Sequence, residues 1–155
     1  FSKEKRAVSK KFEEKKSREN ETGILRKEKW EEFASACVSH KKKLVDLLDN
    51  EVKNGSRIIG YGASARSSTL NNFCGINNFG LEYIADANPI KHGKYAAGTD
   101  IQIVSPDSAF SHSPDCVLLL GWNFKGEILQ IISDRYSFHG KVILPLPNEP
   151  HIIEI

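Results

Sequence analysis

From Glu28 onward, apolar side chains recur at steps of three and four: Trp30, Phe33, Ala34, Cys37, Val38, Leu44, Val45, Leu48 and Val52. That spacing gathers them into one stripe of a long helix. Asn54-Gly55 ends it, with Gly55 suited to the left-handed position that follows a helix. Ahead of Lys27 large apolar groups are sparse, and the segment reads as a linker or a loosely held helix. After Gly55 the texture changes to short apolar runs separated by turns. Arg57-Ile58-Ile59-Gly60-Tyr61 predicts a strand that enters a glycine turn, and Ser64 to Cys74 predicts a helix that buries Leu70 and Phe73 and stops at Gly75. Leu81 to Ala85 is a second strand, closed by Asp86 and the turn Asn88-Pro89. A polar, glycine-spaced loop from Lys91 to Thr99 leads to a third, Ile101 to Val104. Ser105 and Pro106 mark a helix start, as cap and first helical position. Cys116 to Leu120 is wholly apolar, as expected of a strand covered on both faces. Asn123 is placed to cap the next helix, whose buried face takes in Ile128, Leu129, Ile131 and Ile132. Lys141 to Leu144 is a fifth strand, ended by Pro145 and Pro147.

Strands alternating with helices at this spacing imply a parallel sheet with right-handed crossovers. The expected fold is α/β: a Rossmann-like three-layer α/β/α domain with a five-stranded parallel sheet of order 3-2-1-4-5 and an extra N-terminal helix. Residues 1–27 form a charged linker or lead-in, and 28–155 the domain.

Composition narrows the function classes. The 155 residues are 39% hydrophobic and 27% charged, with a formal net charge of +2. Before Gly55 both signs are intermixed (Lys10, Lys11, Glu13, Glu14, Lys15, Lys16), which describes a solvated helix better than a nucleic-acid arm. No apolar run reaches the ~20 residues that span a bilayer. Neither nucleic acid nor membrane is an expected partner. Cys37, Cys74 and Cys116 are far apart and form no CxxC pair, which points to a reducing, cytoplasmic setting without disulfides or a cysteine-rich zinc site. The chain contains no methionine, and it reads as a fragment or excised domain.

In an open parallel sheet, ligands sit beyond the carboxyl ends of the strands where the strand order reverses. Here that point lies between strands one and four. The loops facing it are Gly60-Tyr61-Gly62-Ala63-Ser64-Ala65-Arg66 and Gly121-Trp122-Asn123-Phe124. Glycines let backbone N–H groups of the Gly60–Ser64 turn approach a phosphate, and the following helix aims its positive end at the same place. Ser64 adds a hydroxyl and Arg66 a guanidinium. The spacing fits GxGxxA, a motif equally at home in a tight turn with no ligand. Asp86 stands where nucleotide-binding folds put an acid on a ribose hydroxyl; an Asx turn with Asn88 reads the same residues as well. Lys91, Lys94 and Tyr95 are placed to cover a diphosphate, and Trp122 to wall a pocket or pack the core. The five histidines are scattered, Ser64 lies outside a GxSxG elbow, and Cys74 and Cys116 read as inert core thiols. The residues describe binding, with no catalytic set.

The run Gly60-Tyr61-Gly62-Ala63-Ser64-Ala65-Arg66, followed by Thr69-Leu70-Asn71-Asn72-Phe73-Cys74-Gly75-Ile76, resembles the YGA(S/P)A+xNTLLNYCGI segment that opens the C-terminal domain of sugar C-methyltransferases. Further matches follow in order: Asp86 to Tyr95, Gly98-Thr99, Pro114-Asp115, Leu119 to Asn123, Glu127-Ile128 and Pro145-Leu146-Pro147. Trp30-Glu31-Glu32-Phe33 and Leu44 look like the family's lead-in. The resemblance implies a nucleotide-sugar partner, held by the glycine turn, Asp86, Lys91, Lys94, Tyr95, Trp122 and Asn123. It also implies an N-terminal zinc domain and a central S-adenosylmethionine-binding domain outside this chain. The domain in hand would then carry neither cofactor, would be inactive alone, and would have the enzyme's own methyl-donor domain as a second partner.

The chain departs from that pattern. Ser67 and Ser68 replace a glycine and an asparagine, Asn71 a leucine and Ala97 a proline, and Asp100 to Ile103 replaces an HIPI-like run. Two other readings stand beside the resemblance. GxGxxA with Asp86 also suits an NAD(P)-binding module of a dehydrogenase, and the departures suit an interaction domain without a ligand. Methyl transfer by this segment is disfavoured because Ile58-Ile59, rather than an acid, precede Gly60.

Overall fold

A computed structural model describes residues 8–155, and positions 1–7 of the expected lead-in lie outside the described residues. The chain divides into two compact units, one up to Ser39 and one from His40 to Ile155.

The first unit is helical. Helix α1 (Lys10–Thr22) is capped by Ser9, whose hydroxyl accepts from the Phe12 N–H, and it ends at Gly23 with φ 69°. Its charged sequence buries none of its residues. Helix α2 (Lys27–Lys53) begins here, with Trp30 and Phe33 packed edge to face at 6.2 Å. The expected apolar stripe is buried only from Leu44 on: Trp30, Phe33 and Val38 are exposed, whereas Leu44, Leu48 and Glu51 are buried.

The second unit is built on strands β1 (Ile58–Tyr61), β2 (Tyr83–Ala85), β3 (Gln102–Val104), β4 (Cys116–Leu119), β5 (Lys141–Leu144) and β6 (His151–Glu154). The sheet order is β3-β2-β1-β4-β5-β6. All pairings are parallel except β5 with β6, which is antiparallel. The expected sheet of five parallel strands is therefore corrected to a mixed sheet of six. The sixth strand gives little sequence signal. His151 and Glu154 are exposed and Ile152 and Ile153 half-buried, so it alternates too weakly, at an edge and among prolines, to stand out.

Between the strands run α3 (Ala65–Cys74), α4 (Pro106–Ser111) and α5 (Lys125–Tyr136). Because successive strand residues point to opposite faces, the interior separates into two clusters. Ile58, Leu118, Leu120 and Ile143 pack with Leu44 and Leu48 of α2 and Leu70 and Cys74 of α3. Ile59, Tyr61, Val117, Leu119 and Val142 pack with Ala109 of α4 and Ile128 and Ile132 of α5. Burial on both faces explains why β4 reads as a continuous apolar run.

Two local expectations are corrected. Phe73 is 45% exposed; α3 instead buries Ser67, Leu70, Asn71 and Cys74, the residues one helical face collects at steps of three and four. Asn123 does not cap α5. Residues Trp122–Phe124 form a single 3-10 turn running straight into the helix, and the capping position falls to Phe124, which supplies no side-chain bond.

Candidate functional site

The loops after β1 and β4 meet backbone to backbone. Gly62 donates its N–H to Ala85 O (2.8 Å), and Gly121 donates to Tyr61 O (2.9 Å). Gly62 has φ +104°, and a Cβ there would stand 3.0 Å from the Gly121 nitrogen. Only glycine meets both the conformation and the approach. Above this contact opens a cavity of about 280 Å³ at the carboxyl ends of β1, β2 and β4.

Tyr61, Gly62, Ala63, Ser64 and Arg66 line it from the first loop, Asp86 and Lys91 from the segment after β2, and Trp122 and Asn123 from the loop after β4. Gly121 and Phe124 of that loop join them. Ala87, Leu120 and Ile128 also reach the wall, and sequence reasoning missed them because Leu120 and Ile128 carry the signal of core residues. Three candidates lie elsewhere. Gly60 is inside the sheet, where a Cβ would stand 2.8 Å from Leu120 Cδ1. Lys94 and Tyr95 are exposed. Their backbone runs back along β3, with Ile103 N–H donating to Lys94 O at 2.7 Å and Tyr95 bridged to Gln102. That edge is two strands away from β1.

The turn spends most of its amides on itself. Gly62 N–H is bound to Ala85, Ala63 N–H to Asp86 Oδ2 (2.8 Å), and Ser64 N–H to Ser67 Oγ (2.7 Å). Ser64 and Ser67 form a capping box at the start of α3, each side chain bound to the other's backbone N–H. The expectation that the Gly60–Ser64 amides cradle an anion is corrected accordingly. In this turn, the N–H groups without an acceptor among the described residues are those of Ala65 and Arg66, at the positive end of α3. The exposed Arg66 guanidinium likewise has no acceptor among the described residues.

Asp86 is buried and fully engaged. Oδ2 accepts from Ala63 N–H and from Lys91 Nζ (2.9 Å), and Oδ1 accepts from Asn88 N–H (2.9 Å), which is the Asx turn. Lys91 Nζ also donates to Ala63 O (2.6 Å). The pair therefore grips the peptide groups on both sides of Ala63 and holds the turn in shape. Burial, and then the charge of Asp86, push the Tyr61 phenol above its ordinary value, so it stays protonated. Cys116 is enclosed in the sheet and burial pushes its thiol up to about 12, which leaves it inert as a nucleophile.

A family described as the C-methyltransferase C-terminal domain matches residues 1–147. The chain belongs to this family. It is also 33% identical over 135 residues to C-methyltransferase NovU of Streptomyces niveus, a match covering 87% of this chain and 32% of that protein. The chain thus spans about a third of the length of the curated relative it matches. Within this C-methyltransferase C-terminal domain, the cavity is lined by Arg66, whose helix-start N–H and guanidinium have no acceptor among the described residues, and by Trp122, Phe124 and Leu120. Among the described residues no three ligand-type side chains gather as a metal site would need, and no helix is long and apolar enough to cross a membrane.

Proposed function

We propose that this domain binds the diphosphate-linked sugar on which its C-methyltransferase acts, while the methyl donor and the reacting groups lie elsewhere in the enzyme. The observation that carries the reading is Arg66, which lines the cavity between β1 and β4 and whose helix-start N–H and guanidinium have no acceptor among the described residues. Helix-start amides and a planar guanidinium suit phosphate oxygens. Trp122 and Phe124 supply apolar wall, and Asn123, free of any capping duty, supplies an amide for a sugar hydroxyl.

The sequence resemblance assigns zinc and S-adenosylmethionine to domains outside this chain. Zinc lacks a ligand cluster among the described residues. An adenosyl ribose lacks its usual acid, because both Asp86 oxygens already hold protein N–H groups. The same engagement of Asp86 weighs against a dinucleotide module.

Calorimetric titration with nucleoside diphosphates and nucleotide-sugars tests the proposal. Binding is expected, with Arg66→Ala weakening it about ten-fold or more, the scale of one lost charge-assisted bond. Absence of heat at millimolar ligand refutes it.

A further inference from the structure

The cavity does not end at Arg66 and Trp122. On their far side lies a second hollow of about 290 Å³, lined by Arg66, Thr69, Leu70, Phe73, Trp122 and Leu146. Arg66 and Trp122 thus belong to both compartments, which places the Arg66 guanidinium, without an acceptor among the described residues, at the junction. The two sides differ in character. The first compartment carries Ser64, Asp86, Lys91 and Asn123 among its lining residues. The second is walled almost entirely by hydrocarbon and aromatic surface, and its only hydroxyl, that of Thr69, already donates to Ala65 O at 3.1 Å.

We infer that this second compartment is the seat of the nucleobase, with the diphosphate passing over Arg66 and the sugar in the first compartment. The inference rests on the proposed function and deepens it. A sugar placed in the second compartment would have its hydroxyls facing surfaces that return no hydrogen bond, a costly desolvation. A base has two apolar π-faces and can leave its polar edge in water, as aromatic platforms for single nucleotides exploit. Phe73 explains itself on this reading. It is 45% exposed, against the expectation for a large aromatic, and it lies at the compartment wall. Lys41 Nζ stands 5.4 Å from its ring centroid, holding a cation against the ring. A platform of this kind grips many bases and reads none of their edges, so discrimination among bases is expected to be weak.

The test compares inorganic pyrophosphate with uridine diphosphate and adenosine diphosphate on the full 155-residue chain. The nucleotides are expected to bind at least ten-fold more tightly than pyrophosphate, and Phe73→Ala to bring that ratio down to within about two-fold of one. Because Phe73→Ala also removes the Lys41 contact, a second measurement leaves the ring in place. In a Trp30→Phe background Trp122 is the remaining tryptophan, and its fluorescence should be quenched by both nucleotides and left unchanged by pyrophosphate. If pyrophosphate binds but the nucleotides gain nothing over it, or their gain survives Phe73→Ala with Trp122 unquenched, the base sits elsewhere and the inference is overturned while the anion site stands. If pyrophosphate and nucleotides all fail to bind, the underlying reading falls, and this one with it.

Discussion

The role of Asp86 separates two accounts of the site, and Asp86→Asn distinguishes them. The substitution keeps shape and removes charge. An asparagine can turn its carbonyl toward Ala63 N–H and Lys91, but its NH₂ then meets the Asn88 N–H, donor against donor. The loss is one hydrogen bond to a charged acceptor, worth about 1.5–3 kcal/mol, and the ionic part of the Lys91 contact. Because the Lys91 side chain keeps 37% of its exposure, water replaces part of that attraction, and the ionic part is discounted to about 1 kcal/mol. The sum is about 2–4 kcal/mol, or a melting temperature lower by roughly 5–15 °C for a domain of this size. Lys91→Met removes two donated bonds but leaves Asp86 with two backbone partners, so about 1–2 kcal/mol is expected. In a double-mutant cycle the two changes should couple by about 1 kcal/mol or more, because they share Ala63 as well as each other. Thermal and urea unfolding of the four proteins, with nucleoside diphosphate titrations alongside, give both readouts. If Asp86→Asn melts with the parent yet loses binding ten-fold, the carboxylate touches the ligand and the scaffolding account is wrong.

Two further outcomes follow from buried groups away from the cavity. Asn71 is fully buried, and neither atom of its amide has a hydrogen-bond partner among the described residues, so Asn71→Leu should raise stability by about 1–2 kcal/mol through loss of an unmet desolvation cost; a lower melting temperature would mean that the larger side chain overpacks the site. Glu51 is buried, and its carboxyl is held below the ordinary range chiefly by hydrogen bonding to Lys141 (2.8 and 3.0 Å), against the opposing effect of burial. A depressed folded-state value gives stability that is complete above the unfolded carboxylate value of about 4.3 and is lost as pH falls through the lower folded one. Unfolding free energy should therefore drop in acid, with a shallower slope in Glu51→Gln; equal slopes would remove Glu51 as a source.

The parallel part of the sheet was legible because both its faces are covered. Ile58-Ile59, Ile84-Ala85 and Val117 to Leu120 carry that burial as unbroken apolar runs, and Ser64, Gly75, Ser105 and Pro106 mark helix ends by local chemistry alone. β6 escaped because an edge strand with half-buried isoleucines obeys neither pattern. Phe73 misled for the complementary reason. Apolarity alone placed it in the interior, whereas helical phase, read from Leu70 and Cys74, sets it off the buried face. In the site, position along the chain located the loops. It could not say which amides remained available, because that depends on contacts such as Asp86 to Ala63, 23 residues apart.

The way the turn spends its amides has a consequence for affinity. Of the charged side chains lining the first compartment, Lys91 and Asp86 cancel one another, leaving Arg66 as the net charge of +1. A diphosphate diester brings two negative charges, so its electrostatic hold here is incomplete, and the domain alone should bind weakly and with modest salt dependence. The missing attraction has to come from the helix-start N–H of Arg66 and from apolar contact at Trp122. Both are short-ranged and favour a ligand of correct shape over any other polyanion. On the proposed function, a site so arranged would select an activated sugar by fit and tolerate its release after reaction, whereas a turn with all its amides free and both lysine and arginine unpaired would retain phosphate indiscriminately.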